Sequence, residues 1–428
     1  MKTSVLIDHE PVADGGFLVR LLLRIEGEQP EDRERIPLNL SLVLDRSGSM
    51  AGPKLAAARD AAAMLVQRLW LEDVVSVVAY DDQVEVIAVP ASGKDRENTS
   101  ELIGGIRCGG TTNLSGGWLR GRDLIADGLV EGGVNRVLML TDGHANVGIT
   151  DPNTLVGLCR AGQEAGITTT TIGFGIEFDE QLLSDMADAG GGATYYIEEI
   201  EQAAGVFEEE LEGLLSLSAQ NVRVTVEPGA DADFLQVLHQ YPSHAEGEKL
   251  TLEVGDLYAR EPRLVLAEFL IPPEATEGED GASKEADLAR ITVQAHVLTK
   301  EGGVELRTIE LPLTLTPEKG GHVEPEVRRE VLFLAAARAR TEALEARERG
   351  DSLAGAEKLR AVRDRIIDAG FDDARLDEEV SDLHSMSALM ATEQVSEADS
   401  KYMRQRSYDS YRSRKEASQR IRRSGGER

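Results

Sequence analysis

A carboxylate and two hydroxyls stand at alternate positions in Leu42-Val43-Leu44-Asp45-Arg46-Ser47-Gly48-Ser49-Met50, and oxygen donors of this kind suit a small hard cation. The apolar run before Asp45 reads as a buried strand. Gly48 allows a tight turn between the hydroxyls, and Pro53 suits the first turn of a following helix. Taken alone, the motif also fits a turn with a helix cap. Two later segments add donors. Cys108-Gly109-Gly110-Thr111-Thr112-Asn113 places two hydroxyls in a glycine-rich loop, and Leu140-Thr141-Asp142-Gly143 ends another apolar run in a second acid. Two carboxylates with three or four hydroxyls describe Mg2+ better than the nitrogen and sulfur preferences of zinc or copper, with Mn2+ or Ca2+ as substitutes. Neutral hydroxyls compensate little of the ion's charge, so an Asp or Glu offered by another protein would complete the shell favourably.

An alternating fold has to bring these segments together. After a strand over 39–44, the pattern reads as a helix over 54–71, strands over 74–80 and 84–89 turning at Asp81-Asp82, and a short helix over 99–106. Helices over 115–129, 152–165, 179–189 and 199–217 then alternate with strands over 136–140, 167–174 and 193–197. This predicts an α/β class: a doubly wound, mostly parallel, Rossmann-like sheet over 38–216, whose ligands bind beyond the carboxyl ends of its strands. Over 217–320 the helical period gives way to short strands, predicting a β-sandwich. Residues 1–37 hold two strands, too few to fold alone; they complete the sandwich if the α/β unit is inserted into it. Residues 321–392 read as a small unit of three helices with stops at Gly350 and Gly370, and the basic stretch 393–428 as a disordered tail, open to an acidic surface and to phosphorylation.

The order Asp45-Arg46-Ser47-Gly48-Ser49, Gly110-Thr111-Thr112-Asn113, Leu140-Thr141-Asp142-Gly143 resembles the metal-ion-dependent adhesion site of the von Willebrand factor A family over residues 38–216. The resemblance implies a metal set of Asp45, Ser47, Ser49, Thr112 and Asp142, with the hydroxyls as direct ligands and the aspartates acting partly through water. It favours Thr112 over Thr111, because the family's threonine commonly precedes Asn-Leu. The wider layout is similar to bacterial A-domain proteins arranged like the inter-α-trypsin inhibitor heavy chains. Secreted members of that group carry signal peptides and disulfides, so their matrix role is not implied here.

Composition narrows the partners. The 428 residues carry 46 basic and 77 acidic side chains, a net charge of −31, which argues against nucleic acid or an anionic membrane as partner of the main body. The amino terminus does not read as a signal peptide and no apolar run is long enough to span a bilayer, so the expected location is cytoplasmic. Cys108 and Cys159 read as buried free thiols, Trp70 and Trp118 as core, Asp81 and Asp82 as ordinary turn acids, and His144 as a rim histidine without metal duty. The expected function is a non-enzymatic intracellular protein-binding module, with no catalytic residue assigned. One alternative is a scaffold or assembly subunit that binds through sandwich and helices around a structural metal. A metal-dependent hydrolase has less support, since no paired-histidine set, Gly-Lys-Ser phosphate loop or Gly-x-Ser-x-Gly elbow accompanies the site.

Overall fold

The computed structural model describes all residues except 14, 29–35, 176, 260, 277–283, 300–302 and 414–428. The chain divides into two compact units. One is made of Gln29–Asn221 with His296–Leu306, and the other of Met1–Glu28, Val222–Ala295 and Arg307–Glu416.

Strands β1 (Lys2–Pro11) and β2 (Phe17–Glu26) precede the α/β unit. That unit contains β3 (Leu38–Asp45), α1 (Pro53–Gln67), β4 (Val74–Tyr80), β5 (Val84–Ser92), α2 (Arg96–Gly104), α3 (Leu114–Ala126), β6 (Val134–Thr141), α4 (Pro152–Glu164), β7 (Thr168–Phe174), α5 (Glu180–Ala189), β8 (Gly191–Ile197) and α6 (Ala203–Leu215). Its six strands lie in the order β5-β4-β3-β6-β7-β8, parallel throughout except for the β4–β5 hairpin. Every residue of β3, β6 and β7 is buried, as strands covered by helices on both faces must be. The chain leaves β3 for β4 on one side and returns to β6 on the other. The crevice beyond Asp45 and Thr141 is therefore a topological switch point, the place where open α/β sheets bind ligands.

Trp118 is fully buried in the core on one side of this sheet, its indole N–H donating to Thr169 Oγ1 at 3.1 Å. Trp70, expected in the core, is 57% exposed. The turn after α1 is held by backbone and acid instead: Trp70 N–H donates to Asp73 Oδ2 at 2.7 Å and Asp73 N–H to Trp70 O at 3.2 Å, leaving the ring outward. Cys159 is buried as expected, and burial pushes its thiol up to about 12. Cys108 is exposed instead, because it lies on a loop, where its thiol reaches Ser47 O at 3.1 Å.

Beyond the α/β unit come β9 (Leu217–Pro228), β10 (Asp233–Val237), β11 (Ser243–Glu246), β12 (Lys249–Tyr258), β13 (Arg263–Ile271), the single turn α7 (Pro273–Thr276), β14 (Ala286–Leu298) and β15 (Val304–Leu315). They form antiparallel sheets ordered β1-β2-β13-β10 and β11-β12-β9-β14-β15. β2 pairs with β13 along its length, from Phe17↔Ile271 to Ile25↔Arg263, so the amino-terminal strands belong to a sheet that the chain finishes only after the α/β unit.

Four helices follow: α8 (Pro325–Glu348), α9 (Ser352–Ala369), α10 (Ala374–Ala391) and α11 (Glu397–Tyr411). Asp351 and Asp373 cap α9 and α10, and Gly370 ends α9 at φ 64°, a left-handed conformation that glycine adopts without steric cost. Three helices were expected, with disorder after 393. Instead, Ser396 and Asp399 form a reciprocal cap at the start of α11, and Tyr402 and Met403 are buried in one cluster with Phe333, Leu344 and Leu383. The basic residue Arg406, expected to be solvated, is buried against Glu379, with Nη2–Oε1 at 2.7 Å. The expectations for 414–428 lie outside the described residues. Among the described residues no helix is long and apolar enough to cross a membrane.

Candidate metal centre

The site is built from the ends of β3 and β6 and the loop that leads into α3. Asp45 is the last residue of β3 and is fully buried. Both of its oxygens are engaged: Ser47 N–H donates to Oδ1 at 2.8 Å and Thr141 Oγ1 to Oδ2 at 2.6 Å. The chain turns through a short 3-10 segment, Gly48–Met50, which brings Ser47 Oγ and Ser49 Oγ to 3.1 Å from each other. Asp142, also fully buried, follows β6 and accepts from Ser49 Oγ at 2.6 Å through Oδ1.

The glycine-rich loop closes the third side. Gly48 N–H donates to Gly110 O and Gly109 N–H to Arg46 O, each at 2.8 Å, so the two loops are tied back to back. Thr112 is buried and Thr111 exposed; Thr112 O also accepts from the amides of Asn146 and Val147, which binds the threonine to the loop after Asp142. A Cβ built on Gly143 would lie 3.4 Å from Thr112 Oγ1 and 3.8 Å from Ser49 Oγ, so those hydroxyls face a common spot that glycine leaves open. The structure thus brings together Asp45, Ser47, Ser49, Thr112 and Asp142. His144 is exposed.

The donors fit a small hard cation. They are oxygens in a confined space, and the hydroxyls can turn their lone pairs inward. No group of three or more His, Cys, Asp or Glu side chains suited to a metal occurs among the described residues. Without a cation the electrostatics are unfavourable. Burial raises the Asp45 carboxyl above its ordinary value; hydrogen bonds from Ser47 and Thr141 oppose the rise, and the charge of Asp142 adds to it. Tyr80, buried beside the site, is raised well above the usual phenol value by burial first and by the Asp45 charge second.

Three supporting groups escape a reading of motifs. Thr141 was visible only as part of the strand end that delivers Asp142. Asp81 is more than a turn acid: it accepts from the amides of Gln83 at 2.8 Å and Gly110 at 3.2 Å and lies 3.4 Å from Arg46 Nε. Burial alone would raise its carboxyl, but those amides and the guanidinium hold it below the usual range. Lys54 places Nζ 2.6 Å from Asp142 Oδ2. Its sequence signal was available: a cation in the first turn of α1 opposes the helix dipole, which favours acids there.

Residues 39–209 match the model of the von Willebrand factor type A domain. The chain carries a von Willebrand factor type A domain. It is 28% identical over 212 residues to the protein YfbK of Escherichia coli (strain K12), covering 49% of this chain and 37% of that one. It is 25% identical over 282 residues to inter-alpha-trypsin inhibitor heavy chain H4 of Bos taurus, covering 60% and 29%. The chain therefore spans well under half the length of these curated relatives. The solved von Willebrand factor type A protein from Catenulispora acidiphila superposes with a TM-score of 0.65 at 18% identity, covering 89% of this chain and 88% of that one, a likeness of fold. A domains are mostly non-enzymatic modules that bind protein partners, and they commonly hold a divalent metal at this edge of the sheet.

Proposed function

We propose that this A domain is a non-enzymatic intracellular binding module in which Ser47, Ser49 and Thr112, with Asp45 and Asp142 around them, hold Mg2+, and that an Asp or Glu of a protein partner completes the coordination. The observation that supports it most is the poverty of charge in a well-formed oxygen cradle. Asp45 spends both oxygens on Ser47 and Thr141, and Asp142 gives Oδ2 to Lys54, so the remaining donors are neutral hydroxyls and a single carboxylate oxygen. A divalent ion there supplies a Lewis-acidic positive centre with unmet charge, and a carboxylate is the group that meets it. The protein's part is to orient: the sheet fixes Asp45 and Asp142, the Gly110–Gly48 bond fixes the hydroxyl turn, and the Thr112 loop closes over it. The exposed free thiol of Cys108 suits a reducing compartment.

The test is capture of partners from native lysate by the full chain, with and without EDTA, using the unaltered protein, Asp45→Ala and Ser47→Ala. Loss of the same partner under all three perturbations, with unchanged circular dichroism, is the expected result. Capture that survives them contradicts the reading and supports the scaffold alternative, in which sandwich and helices make the contact.

A further inference from the structure

We propose that Lys54 tunes which cation this centre prefers, by leaving Asp142 a single oxygen to offer and by leaving the loaded site with one net positive charge. The inference rests on the reading of this edge as a cation site. Asp142 is fully buried, and its two oxygens have different partners: Oδ1 accepts from Ser49 Oγ and faces the hydroxyl cluster, while Oδ2 accepts from Lys54 Nζ, each at 2.6 Å. Lys54 is held in place at its own end. Its position follows Pro53 in the first turn of α1, and its terminal atoms pack near Gly175, where a built Cβ would sit 3.4 Å from Nζ; Gly175 has φ +78°, so glycine is also the residue its backbone favours.

Two consequences follow from elementary coordination chemistry. With Oδ2 occupied by an ammonium, Asp142 can offer a metal only Oδ1. Ca2+ favours six to eight oxygens and often takes a carboxylate through both of them, whereas Mg2+ is satisfied by single oxygens in an octahedron with water. Lys54 therefore penalises Ca2+ more than Mg2+. The second consequence is one of charge. Two carboxylates and one ammonium leave one formal negative charge, a divalent ion turns this into one positive charge, and a single partner carboxylate restores neutrality. The same lysine thus weakens metal binding overall while increasing the pull of the bound ion on an acidic ligand.

The test is calorimetric titration of the purified full chain with MgCl2 and with CaCl2, without any partner, for the unaltered protein, Lys54→Met, Lys54→Gln and Lys54→Arg, with a thermal melt of each. In both neutral variants the Ca2+ affinity is expected to rise about tenfold more than the Mg2+ affinity, while Lys54→Arg keeps the original ratio because the charge stays. An unchanged ratio in the folded neutral variants, or an equal gain for both ions, overturns the role of Lys54 alone. Failure of the unaltered chain to bind either ion overturns both this inference and the metal reading beneath it.

Discussion

Two clusters in this chain bury carboxylates beside basic side chains, and they differ in how far that charge is compensated. At the edge of the A-domain sheet, Asp45 and Asp142 are fully buried among hydroxyls, with one ammonium against Asp142. In the helical unit, Glu379 is buried between two guanidiniums, Arg340 on α8 and Arg406 on α11, with Asp382 3.1 Å from Arg406 and bonded to Tyr402 Oη at 2.7 Å. The helical cluster is closed by protein cations, and its worth lies in tying α11 to α8 and α10. The sheet-edge cluster has two carboxylates to one ammonium and is otherwise lined by hydroxyls, so the proposed cation is what would balance it. Burial of an acid by itself therefore signals nothing; what its neighbours leave uncompensated separates a structural knot from a site.

The largest expected effect comes from opening the closed cluster. Glu379→Ala would remove the carboxylate that two buried guanidiniums share and cost about 3–5 kcal/mol, by the usual penalty for breaking a buried ion pair, measured by urea unfolding of the full chain. Acid should open it too. Burial alone would raise the Glu379 carboxyl, but Arg340 and Arg406 outweigh it and hold its folded-state value below the ordinary one. The unfolded state then binds the proton more readily, so this contribution is fully present above the ordinary glutamate range and is lost as pH falls through the lowered folded value. Melting temperatures between pH 7 and 3 should fall more steeply for the unaltered chain than for Glu379→Gln; parallel curves would show that the pair contributes no acid sensitivity.

At the open cluster the expected order is reversed, with binding hit harder than stability. Thr112→Ala should weaken Mg2+ by about tenfold, the scale of one lost ligand hydrogen-bonding group, while Thr111→Ala leaves it unchanged, checked by calorimetry. An equal loss in both variants would remove the distinction between the buried and the exposed hydroxyl. The smallest effect is expected at Asp81→Asn, which keeps shape but weakens the ties to Gly110 and Arg46; about 1 kcal/mol of stability and a modest loss of Mg2+ affinity should follow, because the loop behind Thr112 is loosened. A variant indistinguishable from the unaltered chain would return Asp81 to the role of an ordinary turn residue.

Asp45, Ser47, Ser49, Thr112 and Asp142 could be read together because each lies at a strand end or in a glycine-marked loop, where side-chain type and backbone signal coincide. The doubly wound order was readable for the same reason, since strands such as Leu38–Asp45 are mostly apolar runs that alternate with helices from there on. Asp81 and Thr141 were not, because their importance depends on atoms brought from 29 and 96 positions away; Lys54 carried a local mark, a cation in the first turn of a helix, but its partner comes from 88 positions away. The region after 393 misled through composition. Its buried apolar residues are few, Val395, Tyr402, Met403 and Tyr411, and Arg406 and Ser407 are buried through bonds to Glu379 and Ala337 O, which no hydropathy pattern displays. Trp70 misled in the opposite sense, since a large aromatic in an otherwise apolar run carries no mark of which way a turn will point it.

The sheet-edge hydroxyls and acids are proposed to hold a cation. Calorimetric titration of MgCl2 into the full chain and into Asp45→Ala and Ser47→Ala tests it most directly. Saturable binding by the unaltered chain at one site, lost in both variants while their circular dichroism is unchanged, is the result expected. Equal binding by all three proteins, or none by the unaltered chain, would contradict it.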